Sequence, residues 1–181
     1  MEAALAILKT SGMEGLTMRK VASMAGKSLN NVQHHFKNKD MLLNCLAEFY
    51  FAQCYDVVEQ YTPSKQVNDP KQELYEFILF ILGQSEDISD ACLVFRELWA
   101  VSTRNDELED KLNQFYSSSV SRACTFWEDY GKENAEKAAS LFLPYIEGYS
   151  IQHKALPVDR ENIAKLLSET LYALLTKPIN D

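Results

Sequence analysis

Apolar residues recur along this chain at intervals of three and four, and no segment sustains an alternation of apolar and polar positions. The pattern predicts helices throughout and no strand. A first helix over about 2–11 carries Ala3, Leu5, Ile7 and Leu8 and ends at Gly12. Thr17 is placed to cap a second helix reaching about Met24, and Ala25-Gly26-Lys27 follows as a three-residue turn. Ser28 caps a third helix reaching about Phe36. Asn38 caps a fourth, which runs to about Tyr61 with Leu43, Leu46, Tyr50, Cys54, Val57 and Tyr61 as its apolar stripe. At 1.5 Å per residue that helix is roughly 34 Å long, enough to link two parts of a molecule. The segment 62–69 reads as a loop. Further helices are predicted from Pro70 to near Gly83, over about 88–101, from an Asn105 cap to Gly131, over about 134–155 with a kink at Pro144, and from Asp159 to near Thr176.

Composition narrows the class. The 181 residues are 46% hydrophobic and 24% charged, which is ordinary for a globular protein. A chain of that length buries roughly 70% of its unfolded surface and needs no disulfide or metal staple. The longest strongly apolar run, Phe77–Leu82, falls far short of the roughly 20 residues of a membrane span. Glu2 stands where a signal peptide would be basic, and no long apolar core follows it. Cys45, Cys54, Cys92 and Cys124 show no C-x-x-C spacing and read as buried thiols in a reducing cytoplasm. Integral membrane proteins, secreted disulfide scaffolds and disordered tails are excluded, and no metal or cofactor is expected.

The net charge of −8 conceals a division. Residues 1–40 hold six basic and three acidic side chains, a net +3, whereas 41–181 hold twelve basic and twenty-three acidic, a net −11. Between Thr17 and Lys39 there is no acidic residue at all. One short basic face on an acidic body suits contact with a polyanion through that face alone.

The same segment carries the chemistry. Two short helices joined by a glycine-containing turn have helix-turn-helix form. Val21, Ala22 and Ala25 are placed to pack the second helix inward, and Val32 and Phe36 the third. The opposite side of the third helix presents Ser28, Asn30, Asn31, Gln33, His34 and Lys37, groups that pair with base edges and phosphates. A polar, solvated face of a structural bundle has the same pattern, so periodicity alone leaves both readings open.

The run A-G-K-S-L-N-N-V-Q-H-H-F-K-N-K-D-M-L, Ala25 to Leu42, resembles the TetR family of bacterial transcriptional repressors, as does E-A-A-L-A-I-L-K-T-S-G-M-E-G-L-T-M-R-K-V-A, Glu2 to Ala22. The A-G-x-S turn, the H-F-K-N-K cluster and the G-x-x-x-x-T spacing occur together over the first 45 or so residues. The resemblance implies an all-α protein. Residues 1–45 would form a three-helix helix-turn-helix DNA-binding domain, and 46–181 a helical ligand-binding and dimerisation domain. It implies a DNA-binding set of Thr17, Arg19, Lys27, Ser28, Asn30, Asn31, Gln33, His34, His35, Lys37 and Lys39. Of these, Thr17 and Ser28 would cap helices near phosphates, and Lys27, Asn30, Asn31 and Gln33 would face the major groove. His34, His35 and Lys39 would meet the DNA backbone, and Phe36 would be core. The family's frequent Gly-Thr and Tyr-Tyr pairs are Asn30-Asn31 and Gln33-His34 here, so the reading surface is rich in amides. His34 and His35, adjacent on a helix, are expected to point apart and not to form a metal pair. The sequence begins within the first helix of the family pattern, which implies reading without a basic minor-groove arm.

The resemblance further implies a homodimer in the bacterial cytoplasm, bound to double-stranded DNA at a palindromic operator and released by a small-molecule effector. Wide apolar faces near the chain end suggest Leu141, Phe142, Tyr145, Ile163, Leu167, Leu171 and Leu174 for the dimer interface, or else for an intramolecular core. Phe95, Trp99, Tyr116, Phe126, Tyr145, Tyr149 and His153 are the pocket candidates, again with plain core as the alternative. Glu97 and Glu147 lie near them in sequence, and aromatic rings with a carboxylate suit a cationic effector. F-R-E-L-W-A (95–100) and E-G-Y-S (147–150) resemble the ligand domain of the family's choline-responsive repressors. A neutral lipophilic ligand fits the same aromatics. Two other classes fit the sequence less well: a helical adaptor whose head binds protein, and an all-helical enzyme using His153 and a tyrosine. The chain has no P-loop, G-x-G-x-x-G, G-x-S-x-G or H-E-x-x-H motif to support an enzyme.

Overall fold

A computed structural model describes residues 1–61, 69–86 and 90–178, with the side chains of 85–91 left aside. Among the described residues the regular structure is all helical: α1 (Glu2–Gly15), α2 (Met18–Met24), α3 (Leu29–His35), α4 (Lys39–Glu59), α5 (Pro70–Glu86), α6 (Asp90–Ser102), α7 (Asp106–Phe126), α8 (Lys132–Gln152) and α9 (Arg160–Leu175). The expected loop over 62–69 lies almost wholly outside the described residues. No described helix is long and apolar enough to cross a membrane.

The chain forms two compact units, one of residues 1–57 with 90–115, the other of 58–89 with 116–181. In the first, α1 packs on α6 and on α2, and α2 packs on α3. Leu8, Leu16, Leu42, Leu46, Leu98 and Leu108 are fully buried in it. The buried stripe of α4 is Leu42, Leu43, Leu46, Ala47, Tyr50 and Phe51, whereas Val57 is exposed. Of the predicted stripe, Leu43, Leu46 and Tyr50 are buried and Cys54 and Tyr61 half-buried, so Val57 is the position that departs. Alpha-helix α1 is continuous only up to Gly12, whose φ of 61° breaks it before a last turn to Gly15. Glycine adopts that left-handed conformation without the steric penalty of a Cβ.

The second unit is built on α5, α8 and α9. Leu74, Phe77, Ile78 and Leu82 of α5 meet Ala135, Ala138, Ala139, Phe142 and Tyr149 of α8, and Ile163, Ala164, Leu167, Leu171 and Leu175 of α9. Asn134, buried at the start of α8, donates through Nδ2 to the carbonyls of Leu175 and Lys177, each at 2.9 Å. One side chain thereby closes the C-terminal end of α9.

Three helix ends differ from expectation for identifiable reasons. Alpha-helix α5 continues through Gly83 to Glu86, because that glycine makes room: a Cβ there would sit 3.3 Å from Arg160 Nη1. Alpha-helix α7 stops at Phe126, where Trp127 turns into the core and a 3-10 turn spans Glu128–Tyr130. Gly131, at φ 88°, then starts α8, which runs through Pro144 without interruption.

Candidate functional site

Three side-chain caps set out the head. Thr17, extended at φ −134° and ψ 150°, accepts the Lys20 N–H at 3.2 Å and starts α2. Ser28 accepts the Asn31 N–H at 3.1 Å and starts α3. Asn38 accepts the Met41 N–H at 2.8 Å and starts α4. Between α2 and α3 the turn is a Schellman motif. Lys27 N–H donates to the Ala22 carbonyl at 2.9 Å, and Gly26 N–H donates to Ser23 at 3.2 Å. Gly26 holds the left-handed φ of 63° that this turn requires.

This framework fixes which side of α3 faces outward. Val21, Ala22 and Val32 are buried, as expected. Ala25 is exposed instead, because it is the C-cap of α2 and lies beyond the last inward turn. Phe36 is only half-buried at the end of α3. Asn30, Asn31, Gln33, His34 and His35 are all exposed, as are Arg19, Lys27, Lys37 and Lys39. The imidazoles of His34 and His35 do not diverge as expected; they meet edge to face at 5.6 Å. No group of three or more His, Cys, Asp or Glu among the described residues is arranged to hold a metal. Lys39, expected at the DNA backbone, donates from Nζ to the Met13 carbonyl at 3.0 Å. It therefore already has a partner within the chain.

The pocket candidates divide between the two units. In the first unit Phe95 lies 6.4 Å from Tyr50, 6.3 Å from Phe51 and 6.0 Å from Phe115. Phe51 and Phe115 stack at 4.4 Å, and the Tyr55 hydroxyl donates to the Phe115 carbonyl at 3.1 Å. Burial pushes the neighbouring Cys54 thiol up to about 11. Tyr50, Phe51, Tyr55 and Phe115 were not among the pocket candidates. The aromatic run Phe49-Tyr50-Phe51 was the available signal, and it reads equally well as core. Trp99, on the same helix as Phe95, is more than half exposed.

In the second unit the Tyr116 hydroxyl donates to Glu147 Oε2 at 3.3 Å. Burial raises both the Tyr116 hydroxyl and the Glu147 carboxyl, and the hydrogen bond from Tyr116 offsets part of the carboxyl's rise. Tyr145 and Tyr149 stack at 6.3 Å, and Tyr149 lies 5.8 Å from the His153 ring. Two residues turn a helix by about 200°. Glu147 therefore faces away from the Tyr145–Tyr149–His153 row and toward Tyr116. Phe126 is exposed, stacked on Phe77 at 5.3 Å. Glu97, the other carboxylate considered, is used elsewhere: its Oε2 accepts the Met13 N–H at 2.8 Å.

The interface candidates also divide. Phe142, Ile163, Leu167 and Leu171 are buried in the core of a single chain, because the wide faces of α8 and α9 are filled by α5. Tyr145 and Leu174 are partly buried against that core, and Leu141 is exposed. Outside that set, Ile151 of α8 and Leu166 of α9 are exposed, at 63% and 56%.

Comparison with known proteins agrees with this geometry. Residues 1–46 match the family described as bacterial regulatory proteins, tetR family. An HTH-type transcriptional regulator in the dhlA 5′ region of Xanthobacter autotrophicus is 34% identical, with the match covering 94% of this chain and 86% of that protein. A transcriptional regulator from Rhodococcus sp. RHA1 superposes with a TM-score of 0.74 at 21% identity, over 96% of this chain and 92% of that one. A transcriptional regulator from Saccharomonospora viridis in complex with choline superposes with a TM-score of 0.66 at 19% identity, over 94% and 92% of the two chains. Similar to such a regulator along nearly its whole length, and with a helix-turn-helix head of the form described, the chain belongs to the TetR family of bacterial transcriptional regulators.

Proposed function

We propose that this protein is a dimeric repressor of the bacterial cytoplasm that reads a palindromic operator and lets go when a small organic cation binds. The observation that carries the reading is the outward row of Asn30, Asn31 and Gln33 on a helix fixed by the Ser28 cap and the Gly26 turn. Amides pair bidentately with adenine in the major groove. Lys27 faces the groove beside that row, and Thr17, Ser28, Arg19, Lys37 and the two histidines surround it and suit phosphate oxygens. Residues 1–45 thus read DNA, and 46–181 sense the effector and dimerise.

Dimerisation is assigned to the outer sides of α8 and α9. Leu141, Ile151 and Leu166 are exposed there, and a recess of about 520 Å³ beside Leu166 is lined by Pro157, Val158 and Asn162. In a dimer two α3 helices enter successive major grooves about 34–36 Å apart. Alpha-helix α4 leads from the head at Lys39 to Glu59. An effector that shifts α4 changes the groove spacing, and a coupling of about 1–3 kcal/mol weakens binding about 5–150-fold.

The cationic class rests on Glu147, whose Oε2 accepts from the Tyr116 hydroxyl at 3.3 Å, because a carboxylate beside an aromatic side chain suits a cation. Choline, seen in the Saccharomonospora structure, is the probe. Selection from a pool of randomised duplexes tests the whole reading. It should recover an inverted repeat, and choline should loosen the selected complex. Failure to enrich any duplex favours a protein-binding head. Enrichment without a choline response removes the cation assignment and leaves the DNA reading standing.

A further inference from the structure

The break in α1 is held from two sides. Glu97 Oε2 accepts the Met13 N–H at 2.8 Å, and Lys39 Nζ donates to the Met13 carbonyl at 3.0 Å. Glu97 belongs to α6 and Lys39 is the first residue of α4. A single residue of α1 therefore ties three helices of one compact unit together. The tie needs Gly12: its φ of 61° turns the Met13 amide out of the helical ladder, and a Cβ there would lie 3.1 Å from Glu97 Oε1.

Alpha-helix α6 has two faces that meet different neighbours. Phe95 enters the aromatic cluster of Tyr50, Phe51 and Phe115. Glu97, about 200° further round, reaches the α1 break. We infer that Glu97 is a positioning residue for DNA reading: its carboxylate anchors the Gly12–Met13 break and so fixes the recognition head against α6. The inference rests on the DNA-reading function proposed above. A hydrogen bond to an ionised acceptor is among the stronger ones available, and this one bridges elements 84 positions apart in sequence. Ordinary helix packing permits sliding, whereas a bond to one backbone amide sets a register. Movement of α6 is thereby passed to the head through Met13.

Three substitutions separate this role from simple structural support. Glu97→Gln keeps an oxygen that accepts from Met13. Glu97→Asp keeps the charge and loses one methylene of reach. Glu97→Ala removes both. At a temperature where all remain folded, the Ala and Asp forms should bind the duplex selected by the wild type about tenfold more weakly, with non-specific duplex binding unchanged. The Gln form should stay within about threefold of the wild type. Amide exchange at Met13 should quicken in the Ala and Asp forms and not in the Gln form. Wild-type affinity in an Ala or Asp form whose Met13 amide exchanges fast overturns the inference. Unchanged Met13 exchange in both overturns it as well, because the anchor is then absent. Should Glu97→Ala fail to fold, the Asp and Gln pair decides alone. If the wild type selects no duplex, the functional reading fails, and Met13 exchange still judges the anchor.

Discussion

Tyr116 donates a hydrogen bond to Glu147 at 3.3 Å, and although that residue as a whole is exposed, partial desolvation of its carboxyl holds it above its ordinary value near 4.5. A raised carboxylate pKa means that the folded chain binds this proton more tightly than the unfolded one. Its contribution to stability is complete below the ordinary value and is lost as pH rises through the folded value. Glu147→Gln should therefore flatten the decline in unfolding free energy on the alkaline side of pH 4.5, measured by urea unfolding across a pH series. Parallel curves for the two proteins would remove the desolvation argument. Choline, if it sits on Glu147, should bind more tightly as the carboxyl ionises, and the Gln form should lose that dependence.

The exposed amide of Gln33 and the exposed ammonium of Lys37 are assigned different tasks. Gln33→Ala should cost about 1–3 kcal/mol on the selected duplex and relax the preference at one base position. Lys37→Ala should weaken all duplexes alike and lower the salt slope by about one. Fluorescence anisotropy against matched and mismatched duplexes distinguishes them. Identical profiles for the two variants would mean that the base and phosphate assignments are wrong.

Leu166 is 56% exposed on α9, next to buried Leu167. Leu166→Glu should leave the far-ultraviolet spectrum intact and convert dimers to monomers in sedimentation velocity at micromolar concentration. Leu167→Glu, by contrast, should unfold the second unit. A Leu166→Glu protein that remains fully dimeric would move the interface off this face.

Asn134 donates to two carbonyls at the end of α9, Leu175 and Lys177, and to the Tyr130 carbonyl just before its own helix. Asn134→Ala leaves the Leu175 and Lys177 oxygens without that donor and should lose about 1–3 kcal/mol in urea unfolding. Ser140→Ala, on the exposed side of the same helix, should stay within about 0.5 kcal/mol. Equal losses at the two sites would contradict the role given to Asn134.

The head was legible in the sequence because its signals are local. Thr17, Ser28 and Asn38 act on amides three residues away, and Gly26 acts on its own φ. Turn chemistry of that range survives any tertiary context. Helix ends set by packing were less legible. Gly83 reads as a terminator until Arg160 is seen lying over it, and Trp127 reads as helical until its burial is known. The residues proposed for the effector were the least legible part. Tyr145, Tyr149 and Glu147 lie within five positions, yet helical rotation sends the carboxylate away from the two rings. Glu97 likewise reads as a ligand group beside Phe95, and its partner is a backbone amide 84 residues earlier. Pairings of that kind depend on how helices meet, which periodicity does not encode.

The most direct test of the reading head is the salt dependence of its affinity for a duplex carrying the selected inverted repeat. Arg19, Lys27 and Lys37 from each of two subunits, with the histidines and capped helix starts, should neutralise several phosphates. The logarithm of affinity should then fall linearly with the logarithm of salt, by about 0.9 for each phosphate neutralised. Affinity that ignores salt, or no binding in dilute buffer by a folded dimer, would contradict the assignment of DNA reading to residues 1–45.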